Sequence, residues 1–235
     1  MKKLLIASTS KVYGSDFLEY LHDELLIFFK FCKNILFIPY ARPSGLTHDQ
    51  YTEMVSKNFK RINKKIIGLH KFKNKKKALS DCEAIFIGGG NTFVLLNQLV
   101  ELELIDTLKN VINSGTPYLG TSAGANICGP TISTTNDMPI VNPINLQSLN
   151  ILPFNINSHY LDPIQSSKHM GETRETRIKE FHFFNDQTVI GLREGSYLMV
   201  MREKVILKGE LSARIFKKFN NPYEIPPETD LSYIT

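Results

Sequence analysis

The sequence predicts an α/β fold in three layers, a mostly parallel sheet with helices on both faces. Two features carry this expectation. The short apolar runs are continuous instead of alternating, as strands buried on both faces require, and helical patterns separate them. At 235 residues the chain is long enough to bury a full-sized core.

The elements follow in order. Lys3–Ala7 reads as the first strand, and the amphipathic stretch Asp16–Phe31 as the first helix. Ile35–Pro39 is a strand followed by a helix over Thr47–Phe59. Lys65–Leu69 and Ala84–Ile87 are two further apolar runs. One long helix fits Thr92–Asn113, because Leu95, Leu96, Leu99, Leu102, Ile105 and Leu108 recur near helical spacing. Thr116–Gly120 and Thr188–Leu192 are strands, and Tyr197–Met201 with Lys204–Leu207 reads as a hairpin. No repeat, low-complexity tract or Pro/Gly-rich linker divides residues 1–235, which are expected to form one domain. Residues 222–235, with Pro222, Pro226 and Pro227, are expected to be a loosely held tail.

Composition removes several classes of function. No apolar run approaches the roughly 20 residues of a membrane span, and the short Leu4–Ala7 run is too brief for a signal peptide. A cytoplasmic protein without a membrane partner is the expectation. Cys32, Cys82 and Cys128 stand far apart, which argues against a disulfide framework or a zinc site. The net charge of +5 is largely local, crowded into Lys71, Lys73, Lys75, Lys76 and Lys77 with only Phe72 interleaved. That pattern suits a solvated loop better than a nucleic-acid surface.

In parallel sheets ligands bind beyond the carboxyl ends of the strands, which directs attention to Gly88-Gly89-Gly90-Asn91, Ser122 and the loop after Leu192. Gly120-Thr121-Ser122-Ala123-Gly124 lies between a predicted strand and a predicted helix, the setting of a nucleophile elbow. The turn is so tight that its flanking positions must be glycine. Backbone N–H groups at the following helix start point toward an oxyanion formed nearby. Ala123 supplies one such amide, and Gly89 or Gly90, bare of side chains, supplies another from a second loop. A phosphate cradle is disfavoured, since neither G-x-G-x-x-G nor a P-loop lysine follows. Serine needs a base. Of His22, His48, His70, His159, His169 and His182, His159 stands out because it follows the apolar run Ile151–Ile156 at a strand end.

These residues bring a resemblance into view. The chain resembles the peptidase E family of α-aspartyl dipeptidases over nearly its whole length. The resemblance is strongest at Gly88–Phe93, Gly120–Asn126, Thr134–Val141, Ile156–His159 and Gly171–Glu175. It implies hydrolysis of dipeptides with an N-terminal aspartate by a cytoplasmic enzyme without metal or cofactor. It also implies a fold similar to class I glutamine amidotransferases. Carried over by position, Ser122 is the nucleophile and His159 the base. Asp137 is the favoured third member of the relay and Glu194 the alternative. Thr121 and Tyr160-Leu161-Asp162-Pro163 depart from the family pattern. An aspartate side chain calls for a cation; Arg174 is the choice because a guanidinium grips a carboxylate bidentately, with Arg177 the nearest substitute. Three rivals are an esterase or cyanophycinase-like hydrolase, a glutamine amidotransferase, and a non-catalytic small-molecule-binding domain. An α/β-hydrolase esterase would carry an HGGG-type segment, which this chain lacks, and an amidotransferase would carry cysteine in the elbow, whereas Cys128 lies past it. Monomer and homodimer stay open.

Overall fold

The computed structural model describes residues 1–43, 45–163, 166, 168 and 170–234. Its first sheet is built from β1 (Lys3–Ala7), β2 (Asn34–Ile38), β3 (Lys65–Gly68), β4 (Ile85–Ile87), β5 (Tyr118–Thr121), β8 (Tyr197–Met201) and β9 (Lys204–Lys208). The strand order is β3-β2-β4-β5-β1-β8-β9. The first five are parallel, and β8 and β9 close the edge antiparallel.

Continuous apolar strands divide their side chains between two covered faces. Leu4 and Ile6 of β1 pack with Leu95, Leu96 and Leu99 of α4 (Thr92–Glu101) and with Leu108 and Ile112 of α5 (Ile105–Asn113). Leu5 and Ala7 point the other way, among Leu25 and Phe28 of α1 (His22–Phe28) and Tyr51, Val55 and Phe59 of α2 (His48–Phe59). The α2 start is fixed by a capping box between Thr47 and Gln50. The short helix α3 (Lys75–Ser80) holds most of the lysine run.

A second sheet, ordered β11-β10-β7-β6, brings together β6 (Asn155–Ser158), β7 (Val189–Leu192), β10 (Ala213–Phe216) and β11 (Tyr223–Ile225). The pair β6–β7 is parallel and the others antiparallel. Ile156, Ile190, Leu192 and Ile215 from this sheet join the same apolar cluster as Leu4 and Ile6. Helix α7 (Arg174–Phe184) covers its other face, with Ile178 and Phe181 against Tyr160 and Phe216.

Three sequence expectations need correction. The single helix over Thr92–Asn113 is two helices, because Glu103 takes a left-handed φ of 52°. That turn swings Leu104 into full burial, and its N–H reaches back to Leu99 O at 2.8 Å. The expected helix over Asp16–Phe31 shrinks to a 3-10 turn at Glu19–Leu21 and α1. A left-handed Leu18 sets its start.

The third correction concerns the C-terminal segment, which is pinned instead of loose. β11 pairs with β10, and Leu231 and Ile234 are buried. Leu231 N–H donates to Val205 O at 2.7 Å, and Leu207 N–H to Thr229 O at 3.0 Å. The prolines supply turns between these attachments; they do not release the chain.

Glu224 of β11 accepts hydrogen bonds from Arg193, Ser212 and Arg214. Burial alone would raise its pKa, but those bonds outweigh it and hold the carboxyl at about 2 against an ordinary 4.5. A depressed carboxyl stabilises the fold fully above its unfolded value and loses that contribution as pH falls through the folded value. The stability gap between the protein and Glu224→Gln, read from denaturant midpoints, should therefore narrow as pH falls from about 5 toward about 2. A gap independent of pH would show that the charge is not what holds this strand.

Candidate active site

Ser122 sits between β5 and the short helix α6 (Ala123–Asn126), with φ 54° and ψ −110°. A serine rarely adopts this conformation, which costs of order 1–3 kcal/mol and persists only where its surroundings enforce it. Enforcement comes from the backbone packing. A Cβ at Gly120 would run into the Gly124 carbonyl, and one at Gly124 into the Ile87 carbonyl. The two glycines let β5, α6 and β4 approach closely, and Ser122 projects from the bend. Tyr118 O–H donates to Gly124 O at 2.6 Å from a fully buried position, tying the turn to its own strand.

His159 also has a left-handed φ, 56°, just past the end of β6. Its N–H donates to Ser8 Oγ at 2.8 Å, and Ser8 in turn donates to Leu192 O at 2.7 Å. One hydroxyl at the end of β1 thus links the two sheets where the site opens. The imidazole Nε2 lies 2.8 Å from Ser122 Oγ and Nδ1 2.6 Å from Glu194 Oε1. With the proton on Nδ1, His159 donates to Glu194 and accepts from the Ser122 hydroxyl, the arrangement a serine nucleophile requires. The imidazole is 36% exposed and the Glu194 side chain 45%, so both can be reached by an entering molecule.

Asp137, the acid favoured from sequence, does not meet His159. Its Oδ2 accepts from Thr92 N–H at 2.7 Å, Thr92 Oγ1 at 2.5 Å and Thr135 Oγ1 at 3.1 Å. An ionised carboxylate is favoured at the first turn of a helix, where backbone N–H groups are free to donate. The start of α4 claims Asp137 in this way, and the imidazole is left to Glu194.

The space a Cβ would take at Gly89 lies 3.0 Å from Ser122 Cβ, so the glycine loop passes directly beside Ser122. Gly90, at φ 145°, packs on the Ala41 carbonyl, where no side chain fits. Buried Tyr51 donates to Gly89 O at 3.1 Å and fixes the loop from beneath. The N–H groups of Gly89, Gly90 and Ala123 have no acceptor among the described residues.

Arg174 opens α7, and its Nη1 is buried without a hydrogen-bond partner among the described residues. Burial, and then the neighbouring Arg177, lowers its pKa, while Glu194, Tyr160 and Asp137 raise it. Its guanidinium is therefore in electrostatic reach of Glu194. Arg177 instead pairs with Glu172 at 3.7 Å. Elsewhere, His70 bonds Asp49 and His182 bonds Gln187 O. His169 lies outside the described residues.

Several contributors escaped the sequence reading. Besides Ser8, Asn126 donates to Thr92 Oγ1 at 3.0 Å and to Thr135 Oγ1 at 3.1 Å, and accepts from Ser158 N–H at 3.2 Å. Asn136 donates to Ser158 O at 2.8 Å. Ser8 could have been found, since it ends an apolar strand at the carboxyl edge of the sheet. Nothing local marks Asn126 as a junction.

The chain matches peptidase family S51 over residues 4–208. It is 42% identical over 236 residues to a protein named probable alpha-aspartyl dipeptidase from Drosophila melanogaster, covering 99% of this chain and 97% of that one. It is 41% identical over 229 residues to a peptidase E from Streptomyces coelicolor, covering 97% of this chain and 93% of that one. Among solved structures, a peptidase from an acI-B1 Actinobacterium superposes with a TM-score of 0.74 at 16% identity, over 99% of this chain and 97% of that one. A putative peptidase E protein from Listeria monocytogenes superposes with a TM-score of 0.66 at 23% identity, over 89% of this chain and 98% of that one. Those two share the α/β fold. The family match over most of the chain, and relatives this similar along nearly all of it, make this protein a member of peptidase family S51, a serine peptidase whose substrates are peptides.

Proposed function

We propose that the protein is an α-aspartyl dipeptidase, releasing an N-terminal aspartate from Asp-Xaa dipeptides through an acyl-enzyme. The observation that carries the reading is the unbroken sequence of contacts from Ser122 Oγ through His159 to Glu194, with the buried Nη1 of Arg174, which has no partner among the described residues, in electrostatic reach of Glu194. The names of the Drosophila and Streptomyces relatives point the same way.

In this reading His159 Nε2 takes the Ser122 proton as the oxygen attacks the carbonyl carbon of the aspartyl residue. Glu194 accepts the Nδ1 proton's hydrogen bond and stabilises the imidazolium. The tetrahedral oxyanion lies between the Ala123 amide and that of Gly89 or Gly90; one such donor is worth roughly 2.7–4 kcal/mol. His159 then protonates the departing amine, and the ester bond to Ser122 remains. Water, deprotonated by His159, attacks that ester, and the proton returns to Ser122 as aspartate leaves.

Arg174 suits the substrate's side-chain carboxylate, because an unpaired buried guanidinium nitrogen is costly until an anion arrives. Asp137 suits the free ammonium: its charge reaches Arg174, and its Oδ1 has no donor among the described residues. A cytoplasmic location is part of the proposal, since three free, separated cysteines fit a reducing compartment.

Three outcomes are expected. Ser122→Ala should abolish Asp-Leu hydrolysis while the thermal midpoint stays near that of the parent; retained turnover would end the serine assignment. Glu194→Gln should lower kcat by about 100-fold or more, whereas Asp137→Asn should act mainly by raising KM. The reverse split in steady-state kinetics would return Asp137 to the relay. Arg174→Lys should cut kcat/KM for Asp-Leu by about tenfold and for Asn-Leu far less, because lysine cannot form the bidentate contact. An unchanged Asp-over-Asn preference across a dipeptide panel would remove Arg174 from the substrate site.

A further inference from the structure

Beneath the relay lies a set of ion pairs that the mechanism above leaves unused. Arg193 donates through Nε and Nη2 to both oxygens of Asp162, at 2.9 and 2.8 Å. The same guanidinium donates through Nη1 and Nη2 to both oxygens of Glu224, at 2.8 and 3.0 Å, and through Nη1 to Ser212 O at 2.7 Å. Arg214 Nη1 donates to Glu224 Oε1 at 2.9 Å. Its Nε and Nη2 meet Glu175 Oε2 at 3.1 and 2.9 Å. Lys179 completes the set at Glu175 Oε1, 2.7 Å away.

The positions of these residues in the chain matter more than their number. Arg193 immediately precedes Glu194, and Asp162 lies shortly after His159. One guanidinium therefore ties together the two segments that carry the 2.6 Å bond between His159 and Glu194. Glu175 immediately follows Arg174 in the first turn of α7, so Arg214 holds the helix start that presents Arg174. Both arginines are largely buried, with side chains 15% and 25% exposed, and Glu224 contacts both. Arg193, Arg214 and Lys179 balance Asp162, Glu175 and Glu224, so the set carries no net charge. A balanced, well-bonded network of this kind over-determines the geometry of its members, whereas a single removed partner leaves a charge unmatched.

We propose that Glu224, on the C-terminal strand, is a positioning residue for the reaction: through Arg193 it aligns Glu194 with His159, and through Arg214 it sets Arg174 at the substrate side chain. This rests on the roles proposed above for Glu194 and Arg174. The two branches act on different kinetic constants. The Arg193 branch governs the relay and thus kcat; the Arg214 branch governs recognition of the aspartyl side chain and thus KM. A misplacement of about 1 Å in a reacting constellation can cost roughly 100-fold, so a tenfold effect needs only a small shift.

The experiment is a coupled kinetic series on the full chain with Asp-Leu, with active enzyme counted by titration with a serine-directed phosphonate. Glu224→Ala should lower kcat about tenfold and raise KM several-fold, and Glu224→Asp should recover part of both. Arg193→Gln should lower kcat with KM little changed, and Arg214→Gln should raise KM with kcat little changed. In a Glu194→Gln background the kcat effect of Glu224→Ala should vanish, because the acid it aligns is gone. A merely structural role predicts a lower thermal midpoint with kcat and KM of the titrated enzyme unchanged, or the same loss in both backgrounds; either result overturns the proposal. Should Glu224→Ala fail to fold, the two single-branch variants decide: equal effects of both on both constants overturn it. If Glu194→Gln alone leaves kcat intact, the relay reading falls and this proposal with it. If Glu194→Gln is damaging and Glu224→Ala is not, this proposal alone falls.

Discussion

The contact between Ser122 Oγ and His159 Nε2 joins two sheets, and the rest of the site depends on it. Ser122 leaves the parallel sheet at the end of β5; His159 leaves the smaller sheet at the end of β6. Neither strand hydrogen-bonds the other, so the 2.8 Å separation is set by how the sheets dock. The shared apolar cluster sets that docking coarsely, because packed side chains resist sliding but do not choose one position to a fraction of an ångström. Hydrogen bonds make the choice. Ser8 donates to Leu192 O and accepts from His159 N–H, Ser158 Oγ donates to Ser122 O, and Ser158 N–H donates to Asn126.

Ser122 and His159 both stand on left-handed, non-glycine backbone. Strain at both ends of one hydrogen bond needs compensation nearby. Buried tyrosines provide part of it: Tyr118 holds the Gly124 carbonyl and Tyr51 the Gly89 carbonyl. Each places a large apolar ring in the core and a hydroxyl on a carbonyl of the turn. The elbow and the glycine loop are thereby anchored from the interior.

The segment Thr134–Val141, so prominent as a motif, turns out to be polar scaffolding around the site. Asp137 satisfies the first turn of α4, Thr135 bridges Asp137 and Thr92, and Asn136 holds the Ser158 carbonyl next to His159. The helix start beside Asp137 offers N–H donors, while Glu194 lies at the end of a strand parallel to β6 and so reaches the imidazole from the neighbouring chain segment.

How much of this was legible in the sequence follows from the range of each interaction. Local patterns determined the order of strands and helices in the first half, the elbow and its glycine requirement, and the candidates Ser122 and His159. Backbone sterics and apolar periodicity act over a few residues, and their marks are written where they act. The break at Glu103, the anchoring of Leu231 and Ile234, and the partner of His159 were decided only by the tertiary structure. Glu194 and Asp137 are both acids at plausible distances along the chain, and no local rule separates them. Strand pairing brings one to the imidazole, and a helix terminus keeps the other away. Contacts between residues distant in sequence depend on the docking of whole elements, which no short stretch of residues encodes.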